Sequence, residues 1–476
     1  MLKLHDSLTR KDEKFVPLVK GKVTMYNCGP TVYGDVHIGN LRSFLLGDLL
    51  RRTLERRGYE VTQVMNITDV GHMLADADVG EDKLEVAAQK TGKTPQEVAA
   101  FYTERFFRDV DRIGLLRASV YPKASDHVGE MIAIIEKLLA NGCAYKVEEN
   151  GGTSVYFDVS TFPQYGKLSG NTLDGLEPGA RIDVRAAKKH PADFALWIHN
   201  SAHLMQWTAP WGSGYPGWHI ECSAMAMKYL GETIDIHTGG EDNKFPHHEC
   251  EIAQSECSTG KKFVKHWLHA THLLVDGKKM SKSEGNFYTL DDLVAKGADP
   301  RAVRYLLLST HYRSSLNFTL TGLEGAKAAL NRLDALADAV RTATPKEKGR
   351  SSKIVKAAEK AFDAALDADL NVSDALAALF EFVRSCHETI AAGAFTQADR
   401  TAAIAFLEGA GKALGFAFGR AAEESEIPGS VMALVEKRDE ARKEKRFAES
   451  DRIRDELKAM GWAVEDTADG RRIKRT

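Results

Sequence analysis

The pattern of apolar and polar residues near the N-terminus predicts a strand, a helix and a second strand. In KVTMYN (22–27), Val23 and Met25 alternate with more polar neighbours, as in a strand with one buried face. In the segment 41–58 apolar residues recur at helical spacing, and the β-rich segment 59–68 follows it. The helical stripe consists of Leu41, Phe44, Leu45, Leu49 and Leu54. This order predicts a parallel βαβ unit with a right-handed crossover.

Farther along the chain the pattern changes twice. Between residues 115 and 205 short strands and turns replace the strand–helix–strand pattern, as in GGTSVYFDVSTFPQYGKLSG. This change predicts a small inserted domain. The parallel-sheet pattern returns at 232–240, and the chain after the KMSKS segment (279–283) is almost wholly helical. The polar stretch 341–353 predicts a linker or an exposed helix connection, and Ser373 is a predicted helix N-cap.

Composition narrows the class of protein. With 43% hydrophobic and 28% charged residues, the 476-residue chain is typical of ordinary globular proteins of several domains. The net charge of −3 leaves any nucleic-acid contact to local basic clusters. Neither a secretory signal nor an apolar run long enough for a membrane helix is evident. The six cysteines are few and scattered, which favours a reducing compartment, so we expect a cytoplasmic protein.

The loop CGPTVYGDVHIGN (28–40) follows the first predicted strand, at the sheet edge where ligands collect. A helix N-terminus offers N–H groups and positive potential to phosphates, and His37 could donate to phosphate oxygens there. Gly39 would let a base or a ribose approach the backbone. The alternative is a buried structural Cys28 with a structural histidine.

The segment KKMSKS (278–283) carries Lys279 and Lys282 on either side of Met280 and Ser281. A mobile lysine loop could close on a triphosphate and neutralise charge on the leaving diphosphate. A solvated basic loop is the alternative, but HIGN and KMSKS in this order are far more specific together than either is alone.

The pair resembles the two signature sequences of class I aminoacyl-tRNA synthetases. Further stretches resemble the cysteinyl-tRNA synthetase family within that class, and the similarity covers nearly the whole chain. These stretches are CGPTVY, PGWHIECSAM (216–225), FPHHECEIAQSE (245–256) and STHYRSSLNF (309–318). The resemblance implies ATP-dependent attachment of L-cysteine to tRNA(Cys) through a cysteinyl-adenylate, with release of AMP and diphosphate. It also implies Mg²⁺ with the ATP, and a monomer.

The predicted fold class is α/β, with a Rossmann-type parallel-sheet catalytic domain, an inserted small α+β domain and a C-terminal helical bundle. The predicted limits are 1–115 and 206–260 for the two halves of the catalytic domain, 116–205 for the insertion, 261–320 for the KMSKS junction, 321–425 for a tRNA-binding helical bundle and 426–476 for an anticodon-recognition segment.

Zinc ligands can be recognised by residue type and spacing. His247 and Glu251 are four residues apart and would share one face of a helix. With Cys28 and Cys222 they make an acceptable tetrahedral zinc set, and the resemblance implies one Zn²⁺ per chain on these four residues. Zinc prefers thiolate to hydroxyl, so the site would distinguish cysteine from serine. Cys250 is interpreted as packing near the ion; buried core thiols at Cys28 and Cys222 are the alternative.

Other site residues rest on the resemblance. The implied catalytic residues are His37, Asn40, Lys279 and Lys282. The implied ATP-binding residues are His37, Gly39, Asn40, Gly240, Asp242 and Lys282. The implied cysteine-binding residues are Gly29, Thr68 and Trp218. Two features depart from the family pattern: Asn40 stands where many class I enzymes have a second histidine, and GHMLADADVGEDK follows NITDV.

Two other functions compete with this one. A ligase joining cysteine to an amino-sugar inositol in thiol cofactor synthesis would share the zinc and ATP residues. A zinc-containing RNA-binding protein without catalysis would not need intact HIGN and KMSKS loops. The stretch VEKRDEARKEKRFAESDRIRDELKAMGW (435–462) is predicted to be a charged helix pair, and either an RNA contact or a solvated face fits it. The segment 431–476 ends in RRIKRT, a basic cluster that could neutralise phosphates. Trp462 would offer a stacking surface or pack the last helix.

Overall fold

The computed structural model describes most of the chain. The described residues are 1–70, 82–149, 151–171, 188–281, 285–347, 353–419, 429–444, 446–460, 462–467 and 470–475, with the backbone alone at 459, 465–467, 470–472, 474 and 475. Lys282 of the KMSKS segment and residues 71–81 of the departure after NITDV lie outside these ranges.

The strands and helices follow in chain order. The strands are β1 (Lys3–Asp6), β2 (Lys11–Lys14), β3 (Lys22–Asn27), β4 (Glu60–Met65), β5 (Ala144–Glu149), β6 (Gly152–Phe157), β7 (Phe194–Ile198), β8 (Trp207–Ala209), β9 (Gly212–Pro216), β10 (Ile234–Gly240), β11 (Val264–Ala270), β12 (Leu273–Val275), β13 (Lys278–Lys279), β14 (Leu316–Phe318), β15 (Trp462–Thr467) and β16 (Gly470–Arg475). The helices are α1 (Ile38–Arg56), α2 (Lys83–Thr91), α3 (Pro95–Arg112), α4 (Val128–Ala140), α5 (Trp218–Leu230), α6 (His247–Thr259), α7 (Leu290–Ala295), α8 (Pro300–Ser309), α9 (Leu320–Thr342), α10 (Lys353–Asp367), α11 (Val372–Ala391), α12 (Gln397–Leu414), α13 (Gly429–Lys443) and α14 (Phe447–Ala459).

A four-stranded parallel sheet, ordered β11-β10-β3-β4, forms the centre of the N-terminal part. Strands β3 and β4 are joined through α1, so the predicted parallel βαβ unit and the α/β fold class are confirmed. Because the four strands are parallel, the loops after β3 and β10 leave the sheet at the same edge.

Helix α1 begins three residues earlier than the apolar stripe predicted. His37 is its N-cap, so the helix starts at Ile38 within the HIGN sequence. The predicted stripe faces the interior, where Leu41, Leu45 and Leu49 are at most 2% exposed. The apolar face therefore fixes the helix against the sheet, while its N-terminus lies at the ligand edge.

The insertion is built on a five-stranded antiparallel sheet, ordered β5-β6-β7-β9-β8. Helix α4 precedes it and contributes apolar side chains such as Ile135 and Leu138 to the buried core. Strands β8 and β9 of this sheet lie after residue 205. The domain limits, including 116–205 for the insertion, stay predictions.

Of two local predictions about the C-terminal part, one is wrong and one is confirmed. Asn371, not Ser373, caps α11: its Oδ1 accepts from the Asp374 N–H at 3.1 Å, while the Ser373 hydroxyl donates to the Ser309 carbonyl. The expected charged helix pair is present as α13 and α14, and an antiparallel hairpin of β15 and β16, which was not predicted, follows it. The RRIKRT sequence lies mostly in that hairpin, and no periodic signal had indicated a strand.

Trp462 packs rather than offering a stacking surface. Its side chain is 7% exposed and belongs to a small apolar cluster of the C-terminal segment. The other buried members of the cluster are Val431, Val435, Ile453, Leu457 and Val464. The segment thus carries its own apolar core.

The chain divides into two compact units. The first comprises Met1–Ala328, Ala357–Leu379 and Ala413–Gly415, and the second comprises Ala329–Lys356, Phe380–Lys412 and Phe416–Thr476. Within the described ranges, every helix is too short or too polar to cross a membrane.

Candidate metal centre and nucleotide site

Four side chains from three parts of the chain converge at the carboxyl edge of the parallel sheet. Cys28 follows β3, Cys222 lies on α5, and His247 and Glu251 occupy one face of α6. Their potential ligand atoms all lie within 4.8 Å of one another, and all but Cys28 are buried. The sequence-predicted metal ligands are therefore brought together.

A second ligand set overlaps the first. Cys28 and Glu251 also lie within 4.8 Å of His237, at the centre of β10, and of His248, the residue after His247. The Cys28 Sγ is 3.0 Å from His248 Nε2, and the His237 Nε2 is 2.9 Å from Glu251 Oε2. Geometry alone leaves two donor sets, and the sequence-based choice considered one of them.

The electrostatics of the cluster suit a cation. Glu251 is fully buried, and its Oε1 lies 3.1 Å from His247 Nε2 yet accepts no hydrogen bond from the described residues. Burial raises the pKa of Glu251. The hydrogen bond from the Cys222 thiol lowers the pKa of Cys28, but desolvation and the Glu251 carboxylate raise it above its usual value.

Ionisation of the Cys222 thiol depends most on a nearby cation. Its hydrogen bond to Cys28 and its burial raise its pKa well above the usual value. Two thiols and a carboxyl group in so dry a place would not ionise together without a nearby positive charge. A divalent cation with a preference for sulfur and nitrogen donors would supply that charge, so the residues fit a zinc ion.

The ring of histidines around the cluster was missed from the sequence. His219 Nδ1 lies 2.9 Å from His247 Nδ1, and His248 Nδ1 lies 2.8 Å from His269 Nε2. The Trp218 ring stacks on His247 with centroids 4.4 Å apart. The available signal was the adjacent pair in HHECE and histidines inside two apolar strands, IDIHTGG and VKHWLHA, where a polar residue needs a buried partner.

Thr68 belongs to a buried contact beside the cluster. Its hydroxyl donates to Glu221 Oε2 at 2.8 Å, and Glu221 is fully buried with a pKa raised well above its usual value by burial. Glu221 precedes Cys222 on α5, so it connects the end of β4 to the metal cluster. Sequence reasoning had named Thr68 but not Glu221.

Gly29 is required by packing. A Cβ at this position would lie 1.8 Å from the Asn66 carbonyl oxygen, and the Gly29 N–H donates to Asn66 Oδ1 at 2.8 Å. Cys250, by contrast, lies outside both ligand sets and has its Sγ 3.4 Å from the Tyr165 hydroxyl. The interpretation of Cys250 as a packing residue is consistent with this position.

The HIGN sequence builds a capped helix N-terminus. The Asn40 N–H donates to His37 Nδ1 at 3.2 Å, and the His37 N–H donates to Asn40 Oδ1 at 3.1 Å. Since Nδ1 accepts, the neutral ring carries its proton on Nε2, the nitrogen that can donate to an anionic oxygen. The amide of Asn40 has a structural use here as the reciprocal partner of His37.

The KMSKS segment lies against HIGN. A Cβ at Gly39 would lie 3.4 Å from Met280 Cε, so the two signature sequences touch. Lys279 ends β13 and is exposed, and Asn286 spans the loop by accepting from the Ser281 N–H and donating to the Lys279 carbonyl. The loop is thus closed at its base.

Two further predicted ATP residues lie at the end of β10 and just after it. The Gly240 N–H donates to Asn243 Oδ1 at 2.9 Å, and a Cβ there would lie 3.1 Å from Ser43 Oγ on α1. Asp242 is 60% exposed, with its Oδ2 3.6 Å from His272 Nδ1. Both therefore lie at the same sheet edge as HIGN.

Comparison with known proteins gives the family of the chain. A family model described as the class I (C) tRNA synthetase catalytic domain matches residues 14–328. A cysteine–tRNA ligase of Thermus thermophilus is 46% identical over 99% of this chain and 98% of its own length. The chain belongs to the cysteine–tRNA ligase family. A cysteine–tRNA ligase of Chlorobaculum tepidum is 44% identical over 98% of both chains.

Membership of the cysteine–tRNA ligase family extends to the C-terminus. A second family model, the cysteinyl-tRNA ligase anticodon binding domain, matches residues 424–473. Solved class I synthetases share the fold. A methionyl-tRNA synthetase of Mycobacterium tuberculosis superposes with a TM-score of 0.60 at 14% identity, covering 83% of this chain and 90% of that one. The LeuRS in a ternary complex from Agrobacterium radiobacter superposes with a TM-score of 0.61 at 13% identity, covering 84% of this chain and 85% of that one.

Proposed function

We propose that the protein attaches L-cysteine to tRNA(Cys) in two steps. ATP and cysteine form cysteinyl-adenylate and diphosphate, and the cysteinyl group then passes to the terminal ribose of the tRNA with release of AMP. The observation that carries this is the meeting, at one sheet edge, of a buried Cys–His–Glu cluster with a capped helix N-terminus and the KMSKS segment. The first would select a thiol and the others would hold ATP.

Cysteine selection falls to the metal cluster. Cys28, Cys222, His247 and Glu251 would hold the ion, and a zinc ion bound there would supply a Lewis acid that favours a thiolate over the hydroxyl of serine. Trp218 stacks on the ring of His247 and would border the cysteine pocket. Thr68 and Gly29 lie at the ends of the adjoining strands, where they would contact the rest of the amino acid.

ATP binding falls to the signature segments. The α1 N-terminus and His37 Nε2 would donate to phosphate oxygens, and Gly39, Gly240 and Asp242 would border the adenosine. Lys279 and Lys282 would neutralise charge on the leaving diphosphate, with Mg²⁺ accompanying the ATP. Asn40 would act mainly by holding His37 in the tautomer that donates.

The tRNA partner is favoured over a small-molecule substrate. The anticodon-binding family model covers residues 424–473, and a ligase that joins cysteine to an amino-sugar inositol has no use for such a segment. A non-catalytic RNA-binding protein would not need the capped histidine beside the KMSKS segment. We further propose that the protein acts as a cytoplasmic monomer.

Charging of tRNA(Cys) with radiolabelled cysteine by the purified protein tests the proposal. Acid-stable label should appear on tRNA only with ATP, and serine should not compete. Cysteine-dependent ATP–diphosphate exchange without tRNA charging would favour the small-molecule ligase. Failure of both reactions would overturn the enzymatic function altogether.

Deletion of residues 429–476 tests the role of the C-terminal segment. The segment has its own apolar cluster, so its removal should leave cysteine-dependent ATP–diphosphate exchange within about twofold of the full chain. Charging should fall about tenfold or more through a raised KM for tRNA, because basic contacts to phosphates are lost. Equal charging by the two forms would remove this segment from the tRNA-binding surface.

A further inference from the structure

Two aspartates lie at the margins of the two signature segments. Asp35 stands two residues before His37, and Asp291 lies in the first turn of α7, shortly after the KMSKS segment. One side chain contacts both. Arg105 of α3 donates through Nε to Asp35, and through Nη2 to Asp291 at 2.9 Å.

Two further arginines of α3 hold the same aspartate. Arg108 Nη2 lies 2.5 Å from Asp291 Oδ2, and Arg112 Nη1 lies 2.5 Å from Asp291 Oδ1. Both guanidinium groups also approach Asp109, at 3.4 and 3.3 Å. We name Arg105, Arg108, Arg112, Asp35 and Asp291 the arginine clamp.

The clamp holds a segment that is already paired to HIGN. The Ile38 N–H donates to the Tyr288 carbonyl at 3.0 Å, and His37 pairs with Thr289 in an antiparallel bridge. The rings of His37 and Phe287 meet edge to face, with centroids 5.1 Å apart. The return arm of the KMSKS loop is thus anchored at 287–291, first to HIGN by its backbone and then to α3 by Asp291.

We propose that Arg105 is a positioning residue for adenylate formation, joining the segment before His37 to the helix after the KMSKS loop through its two carboxylate contacts. This rests on the proposed function of the site. With both segments fixed to α3, the two signature segments keep set positions relative to each other, so less ordering is needed in the transition state. Arg108 and Arg112 support it by fixing Asp291.

The guanidinium group suits this use. Its planar fork can serve two carboxylates at once, whereas a lysine ammonium is a point charge on a flexible stem. The side chains of Arg105 and Asp35 are 27% and 28% exposed, and that of Asp291 is 37% exposed. Such partly exposed pairs contribute little to global stability and are screened by salt, so their loss should show in the reaction rather than in folding.

Single-turnover adenylate formation, measured with wild type and Arg105→Ala, tests the proposal. We expect Arg105→Ala to slow adenylate formation about five- to tenfold at saturating ATP, with the KM for cysteine unchanged. Transfer of the cysteinyl group from preformed cysteinyl-adenylate to tRNA should keep its wild-type rate, because the diphosphate on which the KMSKS lysines act has already left. Arg105→Lys should recover part of the loss, and the difference from wild type should shrink as salt is raised.

A double-mutant cycle with Asp35→Asn separates positioning from packing. If Arg105 acts through Asp35, the loss caused by Arg105→Ala should be much smaller in the Asp35→Asn background. The control is Arg117→Ala, which removes a guanidinium paired with Asp111, away from both signature segments, and should leave every rate unchanged.

Three results decide the matter. Wild-type adenylate formation by Arg105→Ala overturns the proposal. Equal losses in adenylate formation and in transfer, with a lowered melting temperature, also overturn it, because they indicate a merely structural role. A wild-type protein that shows no cysteine-dependent exchange would instead refute the proposed function, which keeps the two failures distinct.

Discussion

The proposed metal site (Cys28, Cys222, His247 and Glu251) and the arginine clamp lie in the same catalytic region. Both hold side chains in place, the first by burial and the second by partly exposed ion pairs. In the cluster Cys222, His247 and Glu251 are at most 2% exposed, and the surrounding imidazoles contact one another at hydrogen-bond distance. In the clamp the side chains are 22–43% exposed, and three arginines pair with two aspartates.

The two regions should respond differently to the removal of one side chain. A donor removed from the cluster leaves buried groups whose charged forms are costly without a partner. An arginine removed from the clamp leaves carboxylates that water can solvate. We therefore expect all-or-none effects in the cluster and graded, salt-sensitive effects in the clamp.

Cys222→Ser should give the largest effect. Losing a ligand should cost more than the about 10–100-fold in metal affinity typical of outer partners, so purified Cys222→Ser should contain little zinc and activate cysteine poorly. Metal analysis and cysteine-dependent exchange measure this. Cys250→Ser is the matched control, since Cys250 is equally buried but lies outside both ligand sets.

The same measurement separates the two donor sets. If Cys222 and His247 hold the ion, His237→Asn should keep most of its zinc while His247→Asn loses it. Full zinc in Cys222→Ser, with loss in His237→Asn, would assign the ion to the set with His237 and His248. Raised salt should change neither result, because buried contacts are poorly screened.

Lys282→Ala should have the next largest effect. Its ammonium is proposed to act on charge that develops only in the transition state, so adenylate formation should slow about 10²–10³-fold with little change in the KM for cysteine. Lys278→Ala is the control, since Lys278 is an exposed lysine on the strand that precedes the same loop. An unchanged single-turnover rate in Lys282→Ala would refute the role of this loop lysine.

The sequence predicted much of this region because its signals were local or strongly patterned. Strand β3 was predicted with its observed limits, since Val23 and Met25 alternate with more polar neighbours over one short run. The four proposed zinc ligands are of a distinctive residue type and spacing, and they do converge. Those features need little knowledge of the tertiary structure.

Other features of the fold and the site were not predicted, because the apolar pattern or the spacing along the chain does not report the contacts that produce them. His237 and His248 become possible ligands only because β10 lies beside α6, which no spacing along the chain encodes. Helix α1 starts at Ile38 because His37 and Asn40 exchange hydrogen bonds, a local event that the apolar stripe does not report. The hairpin of β15 and β16 is mostly polar, so its pattern resembles that of a solvated tail.

The smallest expected effect is that of Asp291→Asn on stability. Partial burial raises the pKa of Asp291, but the hydrogen bonds from Arg112 and Arg108 outweigh it and hold that pKa below its usual value. A carboxyl group with a lowered pKa stabilises the fold above its unfolded pKa of about 3.9 and loses that contribution as the pH falls through the folded value. Asp291→Asn should therefore destabilise the protein at pH 7 by at most about 1 kcal/mol, given its exposure.

Melting temperatures of wild type and Asp291→Asn between pH 7 and pH 3.5 measure this. The difference should be about 2 °C or less at pH 7 and should begin to shrink below about pH 3.9, where the carboxyl group of the unfolded chain takes up a proton. Asp111→Asn, which breaks the exposed pair with Arg117, gives the baseline for any surface carboxylate. A large difference that persisted at pH 3.5 would mean that Asp291 packs the region as the buried cluster does. A small, pH-dependent one, beside a slowed adenylate formation in Arg105→Ala, would mean that the clamp positions the reaction without stabilising the fold.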